Sequence, residues 1–282
     1  MPEAHRTATV IGHPIAHSRS PLIHRHWIER YDVTGDYGTE DVAPSDLPRW
    51  LSSRSPDHTP GGNITVPHKE AVYRWLGPSR VDEEAWRIGA VNTWWFEGTE
   101  MRGSCTDGLG FAADLDARAP RWREAEHALV LGAGGAARAI VHTLRRAGLA
   151  VTIANRTLER AQGLADEFGA RGAIALSDTE EALQSVGLVV NTTTLGMAGE
   201  EHGGSEELPH LDPRSFREGQ IAYDIVYVPL ETTFLRAARR SGALGVDGLG
   251  MLLHQAVPGF HRWFGIEPEV TPLLRRVVEA TL

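Results

Sequence analysis

Apolar positions change period along the chain, and the changes divide it into alternating strands and helices. A β-type run at 7–11 ends at Gly12 and is followed by a helical pattern over 21–30. A second strand is predicted at 36–42 and a short helix at 45–54, then a loop through 60. Ile64 and Val66 mark another strand, which Pro67 stops before helical patterns at 69–77 and 80–87. Residues 89–96 return to β-type sequence, Glu97-Gly98 signals a turn, and 100–105 pairs back as a hairpin. A helix then runs to about 118. From His127 onward strands at 127–131, 150–154, 172–176, 187–190, 221–226 and 243–246 alternate with helices to about 147 and at 158–168, 178–185 and 230–241. The Gly- and Glu-rich stretch 198–212 reads as an exposed flexible loop, and two closing helices start near 249 and 268. Such alternation predicts an α/β fold, and 282 residues suit two domains better than one.

Composition narrows the function classes. The chain is 41% hydrophobic and 23% charged, ordinary for a globular protein. A formal charge of −9 offers no electrostatic reason for binding nucleic acid or an anionic membrane. No apolar run approaches the ~18 residues of a membrane span, and residues 1–6 lack the apolar core of a signal peptide. One cysteine, Cys105, excludes an intrachain disulfide and fits a reducing cytoplasm. The histidines show no metal-ligand spacing, so no metal is expected.

Lys69 is the only lysine among 28 lysines and arginines. Arginine stays protonated at any ordinary pH, whereas a lysine ammonium can give up its proton and act as an acid or base. A chance surface lysine is the plain alternative. Asn63 and Thr65, two apart in the preceding strand, are expected on one face, like a pocket wall. The loop Gly12-His13-Pro14-Ile15-Ala16-His17-Ser18-Arg19-Ser20-Pro21 leaves a strand and enters a helix. Ser18 and Ser20 could bind an anion there, or Ser20 could simply cap the helix with Pro21 at its first position. Asn92 is either a turn residue or a pocket amide. Asp107 is by default a helix cap, and it gains interest as a partner that could orient Lys69 and share its proton.

The run Gly132-Ala133-Gly134-Gly135-Ala136-Ala137 fits G-x-G-x-x-A between a strand and a helix, the place of a dinucleotide-binding turn. An NAD site usually carries an acidic residue after the next strand. Here Asn155-Arg156-Thr157 stands instead, and an arginine pairs with a 2′-phosphate that a carboxylate would repel, which argues for NADP. Thr157 could also cap the helix at 158–168. Asn191 and Thr192 leave the carboxyl end of another strand, where an open sheet binds its ligand. Gln255, in an apolar helical stretch one turn beyond Met251, either bonds a neighbouring backbone or faces a pocket.

These segments resemble the shikimate dehydrogenase family along nearly the whole chain. The matching residues are Gly12-x-Pro14-Ile15-Ala16-His17-Ser18-x-Ser20-Pro21, Asn63-x-Thr65-x-Pro67-x-Lys69, Gly89-Ala90-Val91-Asn92-Thr93 and Thr106-Asp107-Gly108. Gly132-Ala133-Gly134-Gly135-Ala136, Asn155-Arg156-Thr157 and Asp247-Gly248-Leu249-Gly250-Met251 with Gln255 complete them. The resemblance implies a substrate domain at 1–107, completed by 245–282, around an inserted NADP-binding Rossmann domain at 108–244. It implies that Ser18 and Ser20 hold a substrate carboxylate with Tyr227 near it, and that Asn63, Thr65, Asn92, Asp107 and Gln255 contact ring hydroxyls or Lys69. Lys69 and Asp107 would be the catalytic pair. Gly132, Gly134, Gly135, Ala136, Asn155, Arg156, Thr157, Thr192, Gly248 and Met251 would bind the cofactor. The implied reaction is reversible hydride transfer between NADPH and the C3 carbonyl of 3-dehydroshikimate, by a cytoplasmic monomer or homodimer. Two positions depart from the family: His13 and Cys105 each stand where asparagine is usual, and Cys105 is expected to weaken hydrogen bonding around Asp107. The rival expectations are a quinate or aminoshikimate dehydrogenase of the same fold, and a sensor that binds without turnover.

Overall fold

Two sheets organise the chain, one of five strands and one of six. The computed structural model describes residues 6–196 and 215–282, and the stretch expected as a loop at 198–212 lies outside them. The residues up to Thr106, together with Gln255–Thr281, form a first compact unit, and Asp107–His254 form a second.

In the first unit the strands are β1 (Arg6–Gly12), β2 (Gly35–Asp41), β3 (Gly61–Ile64), β4 (Thr93–Glu97) and β5 (Glu100–Ser104). They lie in the order β2-β1-β3-β4-β5. The first three are parallel, and the β4-β5 hairpin joins β3 antiparallel. Helices α1 (Ser20–Arg30), α2 (Leu47–Ser52), α3 (Lys69–Leu76) and α4 (Glu83–Ile88) connect them. The core is aromatic: Trp27, Tyr37, Trp94, Phe260 and Trp263 are each buried to 1% exposure or less. A Cβ on Gly61 (φ +150°) would lie 2.2 Å from the Trp94 carbonyl and 2.4 Å from the Trp263 indole nitrogen, so only glycine lets that indole reach the strand. The Trp263 Nε1–H uses this approach to donate to the Trp94 carbonyl at 2.9 Å.

The second unit contains α5 (Asp107–Arg118), β6 (His127–Leu131), α6 (Gly135–Arg146), β7 (Ala150–Asn155), α7 (Leu158–Phe168) and β8 (Gly172–Ala175). It continues with α8 (Thr179–Leu183), β9 (Leu188–Asn191), β10 (Ile221–Asp224), α9 (Thr233–Arg240) and β11 (Leu244–Val246). All six strands are parallel in the order β11-β10-β9-β6-β7-β8, the doubly wound arrangement in which ligands bind where the order reverses, here between β6 and β9. Its core is mainly aliphatic, with Val130, Ile140, Leu144, Ile153 and Val190 fully buried. Helix α10 (Leu249–Phe264) begins in this unit and ends in the first, which α11 (Pro272–Glu279) closes.

The elements follow the pattern, with ends moved by local chemistry. The helix expected from 268 starts at Pro272, where the Thr271 hydroxyl accepts from Leu274 N–H. The expected domain break before 245 falls inside β11, because Leu244 to Val246 pair in register with Ile221 to Tyr223 of β10. No helix among the described residues is long and apolar enough to cross a membrane.

Candidate active site

The polar residues of the first unit meet where β3, β4 and the start of α10 present side chains to one another. Strand β3 ends at Ile64, so Thr65 lies one residue past the strand that was expected to include it, its N–H on the Ile11 carbonyl at 2.9 Å. Asn63 donates through Nδ2 to the Asn92 carbonyl and to Thr93 Oγ1, both at 3.1 Å. The Asn92 amide oxygen accepts from Thr106 N–H at 2.8 Å, which turns its nitrogen toward Gln255 Oε1 at 3.2 Å. Thr106 Oγ1 lies 2.9 Å from the Gln255 carbonyl. Asn63, Asn92 and Gln255, far apart in the chain, therefore form one interlocked array, with Thr93 and Thr106 as its pins.

Lys69 is half-buried at the first position of α3. His68 precedes it at the cap position, buried, with Nε2 2.7 Å from the Val42 carbonyl. The Lys69 carbonyl accepts from Val91 N–H at 3.0 Å, tying the helix start to the residue before Asn92. Ser18 and Ser20 are half-buried at the entry to α1. Arg19, not Ser20, occupies the cap position, and no side chain caps the helix. Ser20 N–H instead reaches Ser18 Oγ at 3.3 Å. His13, in the same loop, places Nδ1 2.6 Å from Asp41 Oδ1, and this contact holds the Asp41 carboxyl below its ordinary range.

In the second unit Asp107 is the first residue of α5 and is 5% exposed. Cys105, just before it, is buried to 1%. Lys69 and Asp107 thus head helices in different units, and Tyr227, half-buried, lies beyond β10 in the second. Gly132 follows β6 at φ +107°, and a Cβ there would lie 2.6 Å from Thr192 Oγ1. The Thr192 hydroxyl donates to the Leu131 carbonyl at 2.7 Å, closing the mouth between β6 and β9. Gly134 and Gly135 face open space and start α6 with no side chain capping it. That leaves its first N–H groups and positive dipole end available to an anion, so the cradle fits a pyrophosphate. Ala136 is half-buried in the first turn of α6, and Ala137 is fully buried against the sheet.

Asn155 ends β7 and folds back, Nδ2 donating to the Thr157 carbonyl at 2.9 Å. Arg156 and Thr157 are exposed, and Thr157 holds the cap position of α7 without a hydroxyl bond. An exposed guanidinium at the end of the second strand suits a 2′-phosphate. Gly248 is required by packing, since a Cβ would lie 2.1 Å from the Ile225 carbonyl. Met251, 8% exposed, packs into the core under the sheet.

Several buried polar residues had no signal in sequence. Asp224 accepts from Asn191 Nδ2 at 2.9 Å and from Thr232 Oγ1 at 2.7 Å, and burial raises its pKa to about 6. Asn191 Oδ1 in turn holds Thr193 N–H at 3.1 Å, fixing the loop beside Thr192. Tyr37 and His24 are fully buried in the first unit. Burial lowers the His24 pKa to about 3 and raises the Tyr37 phenol well above its ordinary value. Only their contacts mark them, and a ring stacked on another ring or a phenol on an amide of a different strand leaves no local pattern in the chain.

Three family models match the chain: the shikimate dehydrogenase substrate binding domain at 10–94, shikimate / quinate 5-dehydrogenase at 117–198, and the shikimate 5′-dehydrogenase C-terminal domain at 248–278. The chain is 49% identical to a shikimate dehydrogenase (NADP(+)) of Mesorhizobium japonicum, over 100% of its length and 99% of the relative's. Among solved structures it is similar to shikimate 5-dehydrogenase of Thermus thermophilus in complex with NADP(H) and shikimate. That similarity is 37% in identity with a TM-score of 0.85, covering 98% of this chain and 100% of the other. It is also similar to quinate dehydrogenase of Corynebacterium glutamicum in complex with NAD, at 29% identity and a TM-score of 0.86, covering 99% of each.

Proposed function

This chain belongs to the shikimate dehydrogenase family, and we propose that it reversibly reduces 3-dehydroshikimate to shikimate with NADPH. The observation that carries the reading is the array of Asn63, Asn92 and Gln255, hydrogen-bonded into one surface and tied through Val91 to the helix that Lys69 heads. An alicyclic polyol needs such a fixed set of donors and acceptors, because its hydroxyls differ only in direction.

Ser18 and Ser20 would hold the carboxylate, with Tyr227 near it, while Asn63, Thr65, Asn92 and Gln255 contact the hydroxyls. Gly132, Gly134, Gly135 and Ala136 would receive the pyrophosphate, and Asn155, Arg156 and Thr157 the 2′-phosphate. Thr192, Gly248 and Met251 complete the cofactor set. NADPH supplies the hydride when bound. Lys69 and Asp107 form the acid/base pair: Lys69 gives a proton to the oxygen that becomes negative on reduction, and its charge stabilises that oxygen beforehand. The chain works as a monomer or homodimer in the cytoplasm, a setting compatible with its single buried cysteine.

The test is turnover of shikimate and quinate, each offered with NADP and with NAD, read from the absorbance of reduced nicotinamide. Rapid turnover with shikimate and NADP alone is expected. Equal turnover of quinate would move the substrate assignment, and preference for NAD would overturn the Arg156 assignment. Tight shikimate binding without turnover would make the protein a sensor.

A further inference from the structure

Tyr37 lies in the middle of β2, fully buried, and its phenol reaches a residue of another strand. It lies 2.6 Å from Asn63 Oδ1. Its ring stacks on His24, centroids 4.1 Å apart and planes at 18°, with the Trp263 ring at 5.8 Å.

Hydrogen-bond capacities fix the direction of each contact. The Asn92 carbonyl can only accept, so the Asn63 atom facing it is the amide nitrogen. Oδ1 must then face Tyr37, and the phenol donates to it. Both N–H groups of Asn63 are meanwhile engaged, on the Asn92 carbonyl and Thr93 Oγ1. What Asn63 has left for a ligand is the second lone pair of Oδ1.

We propose that Tyr37 is a positioning residue for the substrate, orienting Asn63 so that it offers a ligand hydroxyl an acceptor and never a donor. This rests on the assignment of Asn63 to the shikimate pocket. A ring hydroxyl seated on Asn63 must donate, and replacing it by fluorine, which keeps an acceptor and removes the proton, abolishes that contact.

Tyr37→Phe keeps the ring stack and removes the phenol oxygen. The expected result is a rise in KM for shikimate of about tenfold, the scale of one buried hydrogen bond, with KM for NADP within about twofold. Combined with Asn63→Ala, the two losses should be less than additive, because Tyr37 acts through Asn63. An unchanged shikimate KM, or an equal rise for NADP, overturns the proposal. The wild-type protein gives a second reading that needs no variant. Among shikimate analogues carrying fluorine in place of one hydroxyl, one should bind as weakly as the corresponding deoxy compound. Binding of every fluoro analogue as tight as shikimate overturns the acceptor-only role of Asn63. If the wild type neither binds nor turns over shikimate, the proposed function and this inference fall together. If it does and Tyr37→Phe is indistinguishable from it, only the inference falls.

Discussion

The two candidate sites are built in opposite ways. In the first unit's, side chains bond to side chains: Tyr37 to Asn63, Asn63 to Thr93, Asn92 to Gln255. In the second unit's, the candidate dinucleotide cradle is made of backbone and empty space, with Gly134 and Gly135 open and Gly132 pressed against Thr192. The cores differ too. Seven of the eight tryptophans are in the first unit and only Trp122 in the second. A pocket that must tell one ring hydroxyl from another needs directed side chains, each braced by the next. A site for pyrophosphate, common to all dinucleotides, needs only converging N–H groups and room.

The contrast predicts that truncation hurts the first site most. Lys69→Ala should lower turnover by roughly 10²-fold or more, the usual cost of losing an acid/base group, with little change in KM for NADP. Near wild-type turnover would remove Lys69 from the chemistry and break the comparison where it is strongest.

Buried titratable groups give the two units opposite pH responses. His24 is held neutral down to about pH 3, against an ordinary value of 6.5. The unfolded chain therefore binds more protons in that window. Stability should rise with pH up to about 6.5, by at most about 1.4 kcal/mol per pH unit, and stay flat above. Asp224 keeps its proton to about pH 6, against 3.8. The folded protein binds more protons there, so this group's contribution falls as pH rises from about 4 to 6. Urea unfolding of His24→Leu should lose the rising part of the profile, and Asp224→Asn the falling part. Tryptophan fluorescence reports mainly on the first unit. A pH profile unaltered in His24→Leu would mean that the ring is not the neutral group the burial demands.

The smallest expected effect is at the exposed rim of the second site. Arg156→Ala should reduce the preference for NADP over NAD by about tenfold, the scale of one charge-assisted contact in partial solvent. An unchanged ratio would place 2′-phosphate recognition elsewhere.

The second unit was the more legible in sequence. A glycine turn between strand and helix is a local pattern, and the strands around it are continuous apolar runs. The first unit showed Lys69 by its rarity and Asn63 by its place in a strand, but not what braces them. Thr93 and Thr106 stood only as members of family motifs, and nothing marked Tyr37. Capping by Ser20 was one of two expectations, and the cap position belongs to Arg19. The break expected before 245 falls inside β11, since nothing local says that a three-residue strand pairs with β10.

By itself the sequence determined the order and type of the elements, the glycine turn after β6, and the motifs that carry family membership. Backbone propensity, glycine geometry and periodicity act over a few residues, so they can be read from a few residues. The tertiary structure alone decided that Tyr37 reaches Asn63, that Asn63 has no donor left, and that Asp224 fixes Asn191. Those facts depend on which donors and acceptors meet across 26 to 33 positions of chain, and hydrogen-bond capacity is settled only when every partner is in place.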